Sequence, residues 1–262
     1  MIPYPHIDPV LVELGPIAIR WYSLSYLAGV MLGWWYLLKL DNGIPPLMNQ
    51  KMRDDIMLWA ILGIVLGGRL GYVLFYNLPY YIENPLDAFK VWQGGMSFHG
   101  GMVGLITAFY VMCRRAHVSY WQLMDRVACV APIGLCLGRI ANFINSELYG
   151  RASDVPWAMI FPRDELGIPR HPSQLYQAAL EGLSLFVILN LLFHFTKIRN
   201  YRGATCGLFL FGYGVFRSIA EIYREPDVQL GFIFGQVTMG QILCIPMALF
   251  GIALIIYARR AR

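Results

Sequence analysis

The chain has 262 residues, of which 57% are hydrophobic and only 14% charged, with a mean hydropathy of +0.51 and a formal net charge of +5. This composition excludes an ordinary water-soluble domain, and the charge is small enough to come from loops facing anionic lipid, so it does not point to nucleic acid. Cys113, Cys129, Cys136, Cys206 and Cys244 lie in or beside apolar runs without CxxC or metal-ligand spacing, and read as small buried apolar residues.

The N-terminal stretch Met1 to Pro9 has no basic segment leading into an apolar run, so it does not read as a cleavable signal peptide, and the first apolar run is expected to stay as a span. A helical span needs about 20 mostly apolar residues. Windows near that length fall at about residues 18–38, 55–77, 97–113, 127–145, 174–195, 204–221 and 236–258. The third and sixth are short and carry glycines and polar residues, which suits segments packed inside a bundle. The expected fold is therefore all-α, a seven-helix membrane bundle in a single domain over residues 1–262.

Orientation follows from lysine and arginine. One set of loops carries twelve of these residues, among them Lys39, Arg114, Arg115, Lys197 and Arg259; the opposite set carries six, and Arg69, Arg139 and Arg217 lie inside spans. The positive-inside rule makes the richer side cytoplasmic, which puts the N-terminus outside and the C-terminus inside. The long loops, about 78–96, 146–173 and 222–235, then fall on the outer side. Tyr80, Tyr81, Trp92, Trp157 and Phe161 in them suit the lipid headgroup level. In the second window Gly63, Gly67 and Gly71 form a stripe for close helix contact, with Arg69 beside it. Arg69 fits either a structural arginine bonded to backbone carbonyls or a ligand for lipid phosphate.

Three constellations carry chemistry. Arg139 and Asn142 share one face near the end of the fourth window, with Asn145 and Glu147 just beyond. A charge in hydrocarbon costs several kcal/mol, roughly 2.5 to 3.5 for an arginine at a helix centre, so such a residue needs a partner or a ligand. An internal Arg139–Glu147 pair is the structural alternative. Tyr213, Arg217 and Glu221 are spaced four apart along about 12 Å of the sixth window, where Arg217 and Glu221 can satisfy each other. Two arginines on different spans also suit a phosphodiester, which guanidinium binds in a planar fork. The third is Gly94-Gly95-Met96-Ser97-Phe98-His99-Gly100-Gly101, in which flanking glycines let a ligand approach and His99 can take a proton near neutral pH. Taken alone, Tyr26 reads as an interface tyrosine. No HExxH, aspartate pair within a span or histidine cluster supports a metal, no cofactor is expected, and Ser97 has only part of the surroundings of a serine nucleophile.

The segments 94–101, 138–151 (Gly-Arg-Ile-Ala-Asn-Phe-Ile-Asn-Ser-Glu-Leu-Tyr-Gly-Arg), 171–176 (His-Pro-Ser-Gln-Leu-Tyr) and 213–221 (Tyr-Gly-Val-Phe-Arg-Ser-Ile-Ala-Glu) together resemble the phosphatidylglycerol:prolipoprotein diacylglyceryl transferases of bacterial inner membranes. The resemblance covers nearly the whole chain; Ser146 departs from the glycine more usual there. It implies a seven-helix, multi-pass enzyme with its active site toward the periplasm. Such an enzyme moves the diacylglyceryl group of phosphatidylglycerol to the lipobox cysteine thiol of a prolipoprotein signal peptide, forms a thioether and releases glycerol phosphate. It further implies functional positions at Tyr26, His99, Arg139, Asn142, Glu147, Gly150, Tyr213, Arg217 and Glu221. Arg139 and Arg217 would stabilise the phosphate leaving group and His99 would serve as base. Asn142 and the tyrosines would bind headgroup or glycerol oxygens, and Glu147 and Glu221 would hold the arginines. The glycine run and short spans would leave a cavity open to lipid. A transporter or flippase for an anionic lipid is the alternative from another class, although the sequence shows no matching halves with interrupted helices.

Overall fold

The computed structural model describes residues 1–5, 7–15, 17–43, 45–226 and 237–260. The chain is mostly helical. A hairpin of β1 (Val10–Leu14) and β2 (Ile17–Arg20) leads into α1 (Trp21–Asn42), followed by α2 (Gln50–Phe75), the short α3 (Leu78–Glu83), α4 (Phe98–Ala116) and α5 (Tyr120–Ile144). After the two-residue strands β3 (Met159–Ile160) and β4 (Pro169–Arg170) come α6 (Ser173–Phe195), α7 (Ala204–Tyr223) and α8 (Met239–Arg260).

The apolar windows of the sequence fall on α1, α2, α4, α5, α6, α7 and α8. Of these, α2, α5, α6 and α8 are long and apolar enough to cross a membrane. The others are diluted by small or charged residues: Lys39 and Asp41 in α1, Arg114 and Arg115 in α4, Arg217 and Glu221 in α7. The all-helical expectation needs one correction, because β1–β2 and β3–β4 form antiparallel ladders. The first ladder precedes the apolar windows and runs into the start of the first of them, where β-branched Val10, Val12 and Ile19 favour extended chain and Gly15, at φ 60°, makes the turn; the second lies in the loop between the fourth and fifth windows. Most of the third outer loop, 222–235, lies outside the described residues, as do residue 236 of the last window and Arg262 of the charge count.

The elements group into two compact units. In the unit Leu40–Leu123, Asn49 caps α2 by accepting from Met52 N at 2.8 Å, and Ser97 caps α4 by accepting from Gly100 N at 3.2 Å. The two helices cross on glycine: a Cβ added to Gly63 would lie 2.7 Å from Gly104 O, and one on Gly71 2.8 Å from Gly100 Cα. The stripe therefore serves backbone-to-backbone contact. Arg69, two residues from both Gly67 and Gly71, is spent on the connection after α3. Its Nε donates to Ala88 O (2.8 Å), Nη2 to Asp87 O (2.6 Å), and Nη1 to Gly94 O (2.6 Å) and Gly95 O (3.1 Å), with the Tyr81 ring 5.3 Å away. Of the two readings of Arg69, this geometry supports the structural one.

In the other unit, Met1–Lys39 with Met124–Arg262, polar side chains tie helices together inside an apolar interior. Asn190 of α6 donates to Cys129 O at 3.0 Å and accepts from Tyr36 OH at 2.7 Å. Asp125, fully buried, accepts from Gly203 N (2.7 Å) and Cys206 N (2.8 Å) and so satisfies the first amides of α7. Tyr4 reaches the other end of α5, donating to Phe143 O at 2.7 Å while its ring packs with Phe143 and Phe161. α6 is not uniform: Ala178–Ser184 forms a π-helical turn, in which wider winding changes which face a residue presents.

Candidate active site

The end of α5 is built by local hydrogen bonds. The chain leaves the helix through Ser146 (φ 54°) and Leu148 (φ 57°), both in the left-handed region. That explains why glycine suits position 146; here the serine is held by its Oγ, which accepts from Arg163 N at 3.3 Å. The turn brings Glu147 back over α5. Its carboxylate accepts from Asn142 Nδ2 at 2.8 Å and Asn145 Nδ2 at 3.4 Å, and its carbonyl accepts from the buried Gln174 Nε2 at 2.7 Å. Glu147 thus faces Asn142 and, at 3.7 Å, Arg163 rather than Arg139.

The partner of Arg139 is a residue that no sequence motif singles out. Glu181, in the π-turn of α6, has no solvent-exposed surface, and its Oε2 lies 3.6 Å from Arg139 Nη2. Its other oxygen, Oε1, lies 3.5 Å from Arg217 Nη1 of α7. Arg217 also pairs with Glu221 one turn along at 2.9 Å, as the i, i+4 spacing predicts, and Glu221 meets Arg224 at 3.6 Å. Arg139, Glu181, Arg217, Glu221 and Arg224 therefore form one charge cluster carried by α5, α6, α7 and the residue after α7. Tyr213, half-buried on the Arg217 face of α7, lies within electrostatic reach of Glu181, Arg217 and Arg139. The sequence does carry a signal for Glu181, as the one carboxylate in the window 174–195. An isolated charge at membrane depth needs a partner as much as the arginines do.

Other expected positions divide. Tyr26 is exposed and shares a hydrogen bond of 3.1 Å with Tyr22, which is itself within electrostatic reach of Arg139 and Glu147. Gly150 is a packing position: its N donates to His171 O at 2.9 Å, its backbone bridges Arg224, and an added Cβ would lie 2.5 Å from Tyr223 O. His99 belongs to the other unit. It is exposed near the start of α4, and among the described residues it has no hydrogen-bond partner. It lines a groove of about 1110 Å³ along α2 and α4, together with Tyr76, Ser97, Leu70 and Val103.

The loop after α5 has its own buried pair. Arg170 donates to both Asp164 oxygens, from Nε at 2.6 Å and Nη2 at 3.0 Å, which holds the Asp164 carboxyl below the ordinary range. His171 Nδ1 meets Tyr176 OH at 3.0 Å, and burial lowers the pKa of that imidazole. Among the described residues there is no group of histidine, cysteine or carboxylate side chains able to hold a metal.

These features define a helical membrane protein with charged side chains from several helices gathered in its interior. Its sequence matches the family model for prolipoprotein diacylglyceryl transferase over residues 9–257. The phosphatidylglycerol–prolipoprotein diacylglyceryl transferase of Azospirillum brasilense is 56% identical over 260 residues, covering 99% of this chain and 97% of that protein. The Rhodospirillum rubrum protein of the same name is 56% identical over 263 residues (100% and 96%), and that of Pseudomonas aeruginosa 51% over 261 (99% and 97%). The chain belongs to this family, and with it to the transferases of lipoprotein biosynthesis.

Proposed function

We propose that the protein moves the diacylglyceryl group of phosphatidylglycerol to the lipobox cysteine of prolipoproteins at the outer face of a bacterial inner membrane. The reading includes a single seven-span domain with N-terminus periplasmic, C-terminus cytoplasmic and the outer loops on the periplasmic side. The positive-inside count, the four apolar helices and the family support it. The cysteine sulfur attacks the glyceryl carbon that carries the phosphate, the carbon–oxygen bond breaks, a thioether forms and glycerol phosphate leaves.

The observation that carries this reading is the convergence of Arg139 and Arg217, from α5 and α7, on one buried point. Charge grows on the phosphate oxygen as its bond to carbon breaks, and fixed cations in a low-dielectric site stabilise that charge more in the transition state than in the ground state. Arg139 and Arg217 take this role. Glu221, at 2.9 Å, fixes Arg217, while Asn142, Glu147, Tyr26 and Tyr213 hydrogen-bond headgroup and glycerol oxygens or shape their surroundings. His99, with its ring nitrogens uncommitted among the described residues, accepts the thiol proton. The α2–α4 groove gives a lipid chain an apolar surface.

The test is incubation of purified protein with phosphatidylglycerol and a lipobox peptide, read by mass spectrometry. A cysteine thioether that is lost in Arg139→Ala and Arg217→Ala is expected. Lipid movement without a covalent product overturns the assignment in favour of a flippase.

A further inference from the structure

Glu181 has no place in the transfer chemistry, yet it touches both arginines that do. We propose that it is an internal stand-in for the lipid phosphate: a positioning residue that spaces Arg139 and Arg217 for a two-oxygen anion and cedes them to it. The proposal rests on the reading of these arginines as phosphate ligands.

Three observations carry it. A carboxylate and a phosphodiester each present two free oxygens, and the two oxygens of Glu181 face different arginines, Oε1 toward Arg217 and Oε2 toward Arg139. Both separations, 3.5 and 3.6 Å, exceed the roughly 2.7 to 2.9 Å of a charge-assisted hydrogen bond. Neither Glu181 oxygen nor Arg217 Nη1 makes a hydrogen bond among the described residues, although all are buried. Orphaned buried groups of this kind call for a partner that is strong when it arrives. Glu221 lies nearer, with Oε2 2.9 Å from Arg217 Nη2, and leaves Nη1 on the side of Glu181. Arg69 shows the committed alternative, with each guanidinium nitrogen bonded to carbonyls.

Once the phosphodiester has the arginine N–H groups, Glu181 is a like charge beside it. Glycerol phosphate, the leaving group, gains a second negative charge, so the same carboxylate opposes it more strongly than it opposes the lipid and favours its departure. Glu181 in this view trades affinity for turnover.

The experiment uses the full-length protein in detergent or nanodisc, with phosphatidylglycerol, a lipobox peptide and added glycerol phosphate as inhibitor. Glu181→Gln keeps the size and removes the charge. It is expected to lower KM for the lipid and to tighten glycerol phosphate inhibition by about tenfold, with a lower kcat because release slows. Glu181→Asp draws the carboxylate back and is expected to shift both in the same direction by about threefold. A merely structural glutamate would give weaker binding or none of this. Unchanged or weaker inhibition in the folded Gln variant overturns the proposal, and if that variant does not fold, unchanged inhibition in the Asp variant does so. Arg139→Ala and Arg217→Ala separate the two levels. If they leave glycerol phosphate inhibition intact, the phosphate reading itself fails; if they abolish it while the Glu181 variants do not tighten it, only the stand-in fails.

Discussion

The amide of Asn142 donates to the carboxylate of Glu147 at 2.8 Å, so the glutamate beyond α5 is bound back onto the helix it has left. Asn142→Asp replaces this donor by a second carboxylate and sets like charges in contact. The expected cost is about 1 to 3 kcal/mol, from the unsatisfied acceptor and the repulsion, with thioether formation lost. Thermal unfolding in detergent measures the first and the peptide assay the second; an Asp variant with wild-type melting and turnover would show that this contact holds nothing in place.

Gly150 sits where neighbouring backbone leaves no space for a side chain. Gly150→Ala puts a methyl 2.5 Å from Tyr223 O and 2.7 Å from His171 O, both backbone atoms with no room to yield. A loss of about 1 to 3 kcal/mol is expected, typical of overpacking, and activity should fall with the folded fraction. A stable but inactive Ala variant would instead assign Gly150 a direct contact with substrate.

His99 makes the opposite prediction. With an exposed ring and no hydrogen-bond partner among the described residues, His99→Gln should leave unfolding unchanged. Turnover should drop about 100-fold, within the range removed with a general base. Near-normal turnover in the Gln variant would remove His99 as the proton acceptor.

The Asp164–Arg170 pair sets a response to acid. Arg170 lowers the Asp164 carboxyl in the folded state, so folding prefers the ionised form. That contribution is complete above the unfolded value of about 3.9 and is lost as pH falls through the lower folded value. His171 has the same sign, because burial lowers its folded value below that of the unfolded chain and protonation opposes folding as pH falls. Stability should therefore decline in two acid windows, the upper beginning near the ordinary histidine range. Asp164→Asn should erase the lower one and cost about 1 to 3 kcal/mol at neutral pH, because Arg170 loses its closer buried partner and keeps the more exposed Glu225 at 3.3 Å. Unfolding curves across pH measure both effects.

The apolar windows located the helices because lipid leaves a span no choice but to satisfy its own backbone, and that rule is written in composition. The i, i+4 spacing of Arg217 and Glu221 likewise made their contact legible. Partner choice across helices was not. Glu147 is near Arg139 in sequence, but a left-handed turn at Ser146 aims it elsewhere, and the carboxylate that meets Arg139 comes from 42 positions along the chain. The two readings of Arg69 stayed open for the same reason: four carbonyls brought to it by a fold after α3 carry no mark in the sequence.

The π-helical turn Ala178–Ser184 has a wider meaning for how such a protein is built. Each residue of an ordinary helix advances the face by about 100°, so a single extra residue in one turn re-aims the N-terminal part of a span against its C-terminal part without lengthening any loop. Removing one residue there would turn the carboxylate of α6 away from its arginines while the rest of the span kept its apolar face. One inserted residue is enough to separate a helix that merely anchors from one that governs charge in the interior.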